Sequence, residues 1–105
     1  MDVDNIITYF CNCRGCKVED IYNNVTTDLA SHTRYMIYGY LHGKCGWRTY
    51  ELAAKFNRTK RSVQRGMVAF RAFLKHHADI RDEYNSIVQK MEATLNECDS
   101  QIAME

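Results

Sequence analysis

Six lysines and arginines lie between residues 58 and 75, and their side chains can bind phosphate oxygens or donate hydrogen bonds to base edges. The wider segment 44–75 has nine basic residues and one acid, Glu51, whereas the remainder has five basic and twelve acidic residues. Net charge is only +1, so this asymmetry is the informative quantity. A chain divided in this way usually presents one face to a polyanion. The alternative is a solvated basic helix balanced by neighbouring acids.

The basic residues are spaced for one side of a helix. Apolar residues in the segment 60–76 recur at intervals of four, three and four, which predicts an amphipathic helix with one buried face. Arg61 and Arg65 fall on the opposite face. The apolar residues are Val63, Met67, Phe70 and Leu74.

Residues 49–75 have the pattern of a helix-turn-helix. Such a unit needs a small residue where its helices cross, a turn residue that tolerates a left-handed backbone, and a β-branched anchor on the second helix. Ala53, Asn57 and Val63 supply these in that order. We expect a first helix that Thr49 caps and that ends near Phe56, followed by a tight turn.

The rest of the chain is predicted to be helical as well. Proline is absent and glycine occurs five times, which disfavours a fold that needs many turns. Apolar spacing predicts short helices around residues 6–10 and 18–22, a third helix over 33–42 and a closing helix over 78–98, with a frayed end at 99–105. The polar stretch 23–32 predicts a loop. We therefore expect one all-α domain, residues 1–105, formed as a compact bundle of about five or six helices. The closing helix has an apolar stripe at Ile80, Tyr84, Ile87, Met91 and Cys98.

Three stretches, residues 34–38 (RYMIY), 51–56 (ELAAKF) and 58–63 (RTKRSV), are together similar to one known family. They resemble the arginine-led helix, the first helix of the helix-turn-helix and the Arg-Asp-His-Thr-Thr-Val signature of the C-terminal DNA-binding domain of DnaA, the bacterial replication initiator. Residues 78–95 also resemble the closing helix of that domain. The resemblance implies a Trp-repressor-like helical fold and double-stranded DNA binding.

The sequence departs from this family at positions that read bases. Thr59, Lys60 and Arg61 stand where the signature has Asp, His and Thr, so the family's target sequence is not carried over. The turn is one residue shorter, and residues 24–33 have no lysine or arginine where the family has a basic loop for the minor groove. The chain contains no ATPase module, so we expect no ATPase activity.

Nine residues are candidate DNA contacts. Arg61, Ser62 and Arg65, near the start of the second helix, can reach base edges, and Lys60 can reach a base or a phosphate. The other candidates suit phosphates, two of them at the start of the first helix, where free backbone N–H groups and the dipole favour anions. For each cation the alternative is a solvated surface charge, and for Arg34 an internal salt bridge is a further alternative. The phosphate candidates are Arg34, Lys44, Arg48, Thr49 and Arg58.

Three of the five cysteines form a C-x-C-x-x-C cluster at Cys11, Cys13 and Cys16. Thiolates at such a spacing can hold zinc or an iron–sulfur cluster, with a histidine or another cysteine as the fourth ligand. The spacing departs from the usual paired C-x-x-C, and cytosolic cysteines are often small buried hydrophobic residues. We expect no metal, no cofactor and no disulfide.

Several function classes are disfavoured. No apolar run approaches the roughly 18 residues that span a bilayer, and residues 1–8 do not open like a signal peptide. We therefore expect a cytoplasmic, nucleoid-associated protein without membrane contact. The sequence has no evident nucleophile–base pair, glycine-rich phosphate loop or paired carboxylates, which disfavours an enzyme.

The leading hypothesis is a double-stranded DNA binder that acts in replication initiation or transcription regulation, with a separate replication or regulatory protein as a further candidate partner. The alternative is a protein-interaction module that uses the same helical fold to dock an acidic partner, or to dimerise through the stripe of the closing helix. The sequence leaves the oligomeric state, the DNA target and the biological process open.

Overall fold

In the residues that the structure describes, the chain folds into six α-helices. A computed structural model describes residues 2–23 and 25–104, with side chains up to residue 94. No strand occurs in these residues, so the predicted all-α class is confirmed. None of the helices within them is long and apolar enough to cross a membrane. The helices are α1 (Val3–Arg14), α2 (Val18–Tyr22), α3 (Asp28–Cys45), α4 (Thr49–Lys55), α5 (Lys60–His76) and α6 (Ala78–Met104).

One hydrophobic core receives side chains from all six helices. Phe10 of α1 is fully buried in it, with its ring centroid 5.8 Å from that of Tyr40 and 6.1 Å from that of Tyr84. α3 packs on α1, α2 and α5, which makes it the central helix. Burying one large apolar side chain stabilises the fold by about 1.5–3 kcal/mol, so this shared core holds the basic helix α5 in place.

α3 begins earlier than the sequence predicted. Residues 28–32 belong to the helix rather than to the predicted loop 23–32, because Thr27 caps it: the Ala30 N–H donates to Thr27 Oγ1 at 3.3 Å. Asp28 lies in the first turn, where the helix dipole favours an acid. The helix also passes its predicted end at residue 42 and ends at Cys45, where Gly46 takes the left-handed backbone with φ of 74°.

α4 and α6 also differ from prediction at their ends. Arg48 rather than Thr49 is the N-cap of α4, and its N–H donates to Glu51 Oε1 at 3.1 Å, so an acid closes the first turn. α6 continues to Met104, through most of the segment predicted to fray. The side chain of Cys98 in the predicted stripe, and residue 105, lie outside the described residues.

Two glycines let α3 and α5 approach closely. A Cβ atom on Gly39 would lie 2.2 Å from Cε2 of Phe70. A Cβ atom on Gly66 would lie 2.9 Å from Cδ1 of Tyr35 and 3.0 Å from Cδ2 of Tyr38. Neither position has room for a side chain unless an aromatic ring moves. These close approaches fix how the first turns of α5 face α3.

Candidate nucleic-acid interface

α4, the turn 56–59 and α5 form the predicted helix-turn-helix. Ala53 is 8% exposed and Val63 is fully buried, as expected for the crossing and the anchor. Asn57 has φ of 53° and is the one non-glycine residue with positive φ in the described part of the chain. The Arg58 N–H donates to the Ala53 carbonyl at 2.9 Å and closes the end of α4. The spacing therefore predicted the structural role of all three residues.

α5 separates an apolar side from a basic side. Val63, Met67 and Phe70 of the predicted stripe are buried, and Leu74 is partly buried. The helix contains no acidic residue that would neutralise the basic side. The exposed polar and basic residues of α5 up to position 71 are Lys60, Arg61, Gln64, Arg65 and Arg71.

The first turn of α5 is positive from both its side chains and its backbone. Thr59 is the N-cap, and its Oγ1 accepts a hydrogen bond from the Ser62 N–H at 3.1 Å. Lys60 and Arg61 occupy the first two helical positions, and the turn has no acid. Because a helix N-terminus carries a partial positive charge, the two cations and the dipole add together. This end of α5 therefore favours an anion.

A cleft lies between α3 and the first turns of α5. Its volume is about 230 Å³, and three arginines line it: Arg34 from α3, and Arg61 and Arg65 from α5. A second, more open depression, lined by Asn57 and Arg58, shares Thr59 and Ser62 with it. We call the first space the cationic cleft. Its lining residues are Arg34, Tyr35, Tyr38, Thr59, Arg61, Ser62 and Arg65.

Arg34 is held in place by the backbone of the preceding segment. The residue is 4% exposed, and its Nε donates to the Ile21 carbonyl at 3.1 Å. Its Nη2 donates to the carbonyls of Asp20 at 2.9 Å and Val25 at 3.1 Å. Backbone carbonyls thus take the place of the internal salt bridge that was the predicted alternative. Arg34 lines the cleft but is not the exposed phosphate contact that the sequence indicated.

Two polar groups near the cleft have no hydrogen-bond partner among the described residues. They are the hydroxyl of Tyr38, and Nε and Nη2 of Arg58. Burial raises the pKa of Tyr38 to about 12, although the guanidinium groups of Arg58 and Arg34 act in the opposite direction. Burial lowers the pKa of Arg34, and the charge of Arg58 lowers it further. Two guanidinium groups therefore lie close enough to repel each other.

The remaining candidates are outside the cleft. Lys44 is exposed in the last turn of α3, and Arg48 is exposed at the N-cap of α4. Thr49, partly buried, is the first residue of α4. Because Glu51 accepts the Arg48 N–H, an acid already occupies the place predicted for a phosphate at this helix end. The cleft itself unites four of the nine predicted contacts, Arg34, Arg61, Ser62 and Arg65.

The cysteine cluster is divided between the interior and the surface. Cys11 is 1% exposed, Cys13 is exposed and Cys16 is intermediate. Burial raises the pKa of Cys11 to about 12, and the neighbouring Cys16 acts in the same direction. In the part of the chain that the structure describes, no group of three or more His, Cys, Asp or Glu residues could hold a metal ion.

Sequence reasoning missed the tyrosines and the glycine that shape the cleft. Tyr35 and Tyr38 are not among the residues that the sequence indicated for binding, yet both line the cleft. Gly66 lies on the buried side of α5 and brings that helix against the two rings. Its position three residues after Val63, within an apolar stripe, was the one available signal.

Neither the models of known protein families nor the curated proteins give a match to this chain. The similarity to the DnaA domain therefore rests only on residues 34–38, 51–56, 58–63 and 78–95 of the sequence. Any functional conclusion depends on the geometry and charge of the helix-turn-helix and the cationic cleft.

Proposed function

We propose that this chain binds double-stranded DNA by placing the basic side of α5 in the major groove. The observation that carries the proposal is a 17-residue helix without an acid, whose first turns expose Lys60, Arg61 and Arg65 beside the cationic cleft. An α-helix fits the major groove, and arginine can donate two hydrogen bonds to guanine. The turn at Asn57 directs this helix away from α4, as a helix-turn-helix requires.

The contacts divide into two kinds. Arg61, Ser62 and Arg65 read base edges, whereas cations around them bind phosphates. These cations are Lys44, Arg48, Arg58 and Lys60. Phosphate contacts supply most of the affinity and make it salt-dependent, and base contacts supply the selectivity. The segment 44–75 has nine basic residues and one acid, which suits a surface with several phosphate contacts around a few base contacts. We assign the activity to replication initiation or transcription regulation at the nucleoid, without an ATPase step.

The test is fluorescence anisotropy of a labelled mixed-sequence duplex across a salt series. The test variant is Arg61→Glu/Arg65→Glu, which reverses two charges that line the cationic cleft. The matched control is Arg71→Glu/Arg81→Glu, which changes the net charge equally at two exposed arginines outside that cleft. Circular dichroism establishes that all three proteins are folded.

We expect the wild type to bind, with an affinity that falls linearly with salt on logarithmic axes. The test variant should bind about 100-fold more weakly, a loss of about 2.7 kcal/mol, and the control less than about tenfold more weakly. Equal affinities of the two variants would show that only net charge matters. A folded wild type that binds no duplex at low salt would contradict the proposal and leave an acidic protein as the candidate partner.

A further inference from the structure

Arg34, in the wall of the cationic cleft, and Arg58, beside the cleft, have positive charge that the described residues do not neutralise. Arg34 is 4% exposed, and solvent does not reach Nε and Nη2 of Arg58. In the described residues neither arginine forms an ion pair. The ion pairs found there are Arg14–Glu83, Lys55–Asp4 and Arg81–Asp82.

The surroundings of Arg34 explain why this charge is unusual. Besides burial, the groups that shift its pKa are a second guanidinium, two tyrosines and a thiol, and none is a carboxylate. The neutral carbonyls that hold Arg34 accept hydrogen bonds from Nε and Nη2 but do not neutralise its charge. A buried cation is costly unless an anion accompanies it, and two neighbouring cations are costlier. The chain thus leaves a place for an anion from outside.

The cleft beside these arginines has the donors and the space that such an anion needs. Tyr38 is 1% exposed and lines the cleft, and its hydroxyl has no partner among the described residues. On the opposite wall Arg61, Ser62 and Arg65 add two guanidinium groups and a hydroxyl. The cleft volume of about 230 Å³ is several times the roughly 30 Å³ of a water molecule, which is enough for a phosphate group. The N-terminus of α5 adds its dipole.

We propose that the cationic cleft binds one phosphate group. Arg61, Ser62 and Arg65 hold the phosphate oxygens from the α5 wall, Arg34 stabilises the negative charge from the α3 wall, and Arg58 adds its charge from the neighbouring depression. The phosphate comes either from a free phosphate ion or ester, or from a phosphodiester of a nucleic-acid backbone. Arg61, Ser62 and Arg65 are also the proposed base-reading residues, so a phosphate and a base edge occupy them alternately. Binding of phosphate in the absence of DNA therefore does not depend on the proposed function.

The experiment is thermal unfolding of the full chain at constant pH and ionic strength, with chloride replaced stepwise by inorganic phosphate or by dimethyl phosphate. A ligand that binds only the folded state raises the Tm. We expect a saturable rise over chloride, with changed amide NMR signals at Arg61 and Ser62. A response to inorganic phosphate alone identifies a free phosphate or monoester as the ligand. A response to dimethyl phosphate as well identifies a backbone phosphodiester.

Three variants locate the site. Arg65→Gln should reduce the phosphate-dependent rise in Tm at least by half, whereas Arg71→Gln, the same change elsewhere on α5, should preserve it. Arg58→Met removes a guanidinium without a counter-ion, so the Tm in chloride should rise while the response to phosphate falls. Such opposite changes are not expected of a residue with a purely structural role.

Equal Tm values in chloride and phosphate would overturn the proposal, as would an unchanged response in Arg65→Gln. A lower Tm of Arg58→Met in chloride would contradict the absence of a counter-ion. Duplex binding without a phosphate response would leave the DNA proposal standing and remove this site. A phosphate response without duplex binding would do the reverse.

Discussion

Two clefts of similar volume lie along the contact between α3 and α5, and their chemistry is opposite. The cationic cleft, of about 230 Å³, is lined by three arginines and two tyrosines. The second, of about 210 Å³, is lined mainly by apolar groups, and we call it the apolar cleft. Its lining residues are Gly39, His42, Gly43, Met67, Phe70 and Arg71.

The difference shows that one pair of helices has a closely packed region and a region where polar groups lack partners among the described residues. At the apolar cleft Gly39 admits the ring of Phe70 against the α3 backbone, and close packing stabilises the contact. At the cationic cleft Gly66 brings α5 against Tyr35 and Tyr38, but charge and polar groups remain without partners. Functional sites commonly sacrifice stability in this way. The predictions below compare matched changes on the two sides.

The largest effect on stability is expected at the apolar side. Gly39→Ala would place a Cβ atom 2.2 Å from Phe70, so the ring must move, and overpacking of this kind costs about 3 kcal/mol. Gly43→Ala is the control, since a Cβ atom there meets nothing within 4 Å and removal of a helical glycine gains about 0.5–1 kcal/mol. Urea unfolding measures both. If Gly39→Ala is as stable as the wild type, the helices do not pack closely here.

The free energy of unfolding should fall at alkaline pH because of two buried tyrosines. Tyr38 lines the cationic cleft, and Tyr84 packs on Phe70 of the apolar cleft. Burial raises the pKa of Tyr38, and of Tyr84 packed on Phe70, from 10.0 to about 12. Their contribution is fully present below pH 10, and it is lost as the pH rises to 12, because the unfolded chain ionises first. Ionisation of each tyrosine should lower the free energy of unfolding by about 2 kcal/mol between about pH 10 and pH 12. Cys11 acts in the same direction from a pKa of 9.0 upward.

The measurement is the free energy of unfolding from pH 9 to pH 12 for the wild type, Tyr38→Phe and Tyr84→Phe. Each substitution should make the free energy of unfolding fall less steeply with pH, because one proton fewer is released on unfolding in this range. A Tyr38→Phe variant that keeps the wild-type decline would mean that the Tyr38 hydroxyl is not buried as described.

A third comparison reverses the charge of one arginine at the cationic cleft and of one at the apolar cleft. Arg65 lines the cationic cleft and Arg71 lines the apolar cleft, and both are exposed on α5. Arg65→Glu should weaken duplex binding about tenfold, or 1.4 kcal/mol, and Arg71→Glu less than about threefold. Anisotropy at a single low salt concentration measures both. Losses of the same size would place the interface across the whole basic side of α5 rather than at the cationic cleft.

The smallest effect compares two helix caps. Thr59 Oγ1 accepts from the Ser62 N–H at 3.1 Å, and Thr27 Oγ1 accepts from the Ala30 N–H at 3.3 Å. Replacing either threonine by alanine should lower the free energy of unfolding by about 1 kcal/mol. Because only Thr59 lines the cationic cleft, only Thr59→Ala should also weaken phosphate binding. If Thr27→Ala weakens it equally, the loss comes from general destabilisation.

The sequence predicted the elements whose signals are local. Ala53, Asn57 and Val63 lie within eleven residues, and their types alone indicate a crossing, a turn and an anchor. The predicted start of α3 was wrong because the polar composition of residues 23–32 is typical of a loop, although Thr27 caps a helix there. A single capping threonine cannot be distinguished by composition from a threonine in a loop.

The cleft could not be predicted because its determinants are distant in sequence. Arg34 finds its carbonyl partners 9, 13 and 14 residues away, so its type alone did not separate a surface charge from a buried one. Likewise, the sequence did not show that the buried hydroxyl of Tyr38 would lack a hydrogen-bond partner among the described residues. These features depend on how α2, α3 and α5 pack together.

The most direct measurement of DNA binding by the cationic side is a titration of the isotope-labelled chain with a duplex, followed by amide NMR. We expect the largest changes at Lys60, Arg61, Ser62 and Arg65, and almost none at Gly43 beside the apolar cleft. Changes centred on the apolar cleft, or no changes in the folded chain at low salt, would contradict DNA binding through α5.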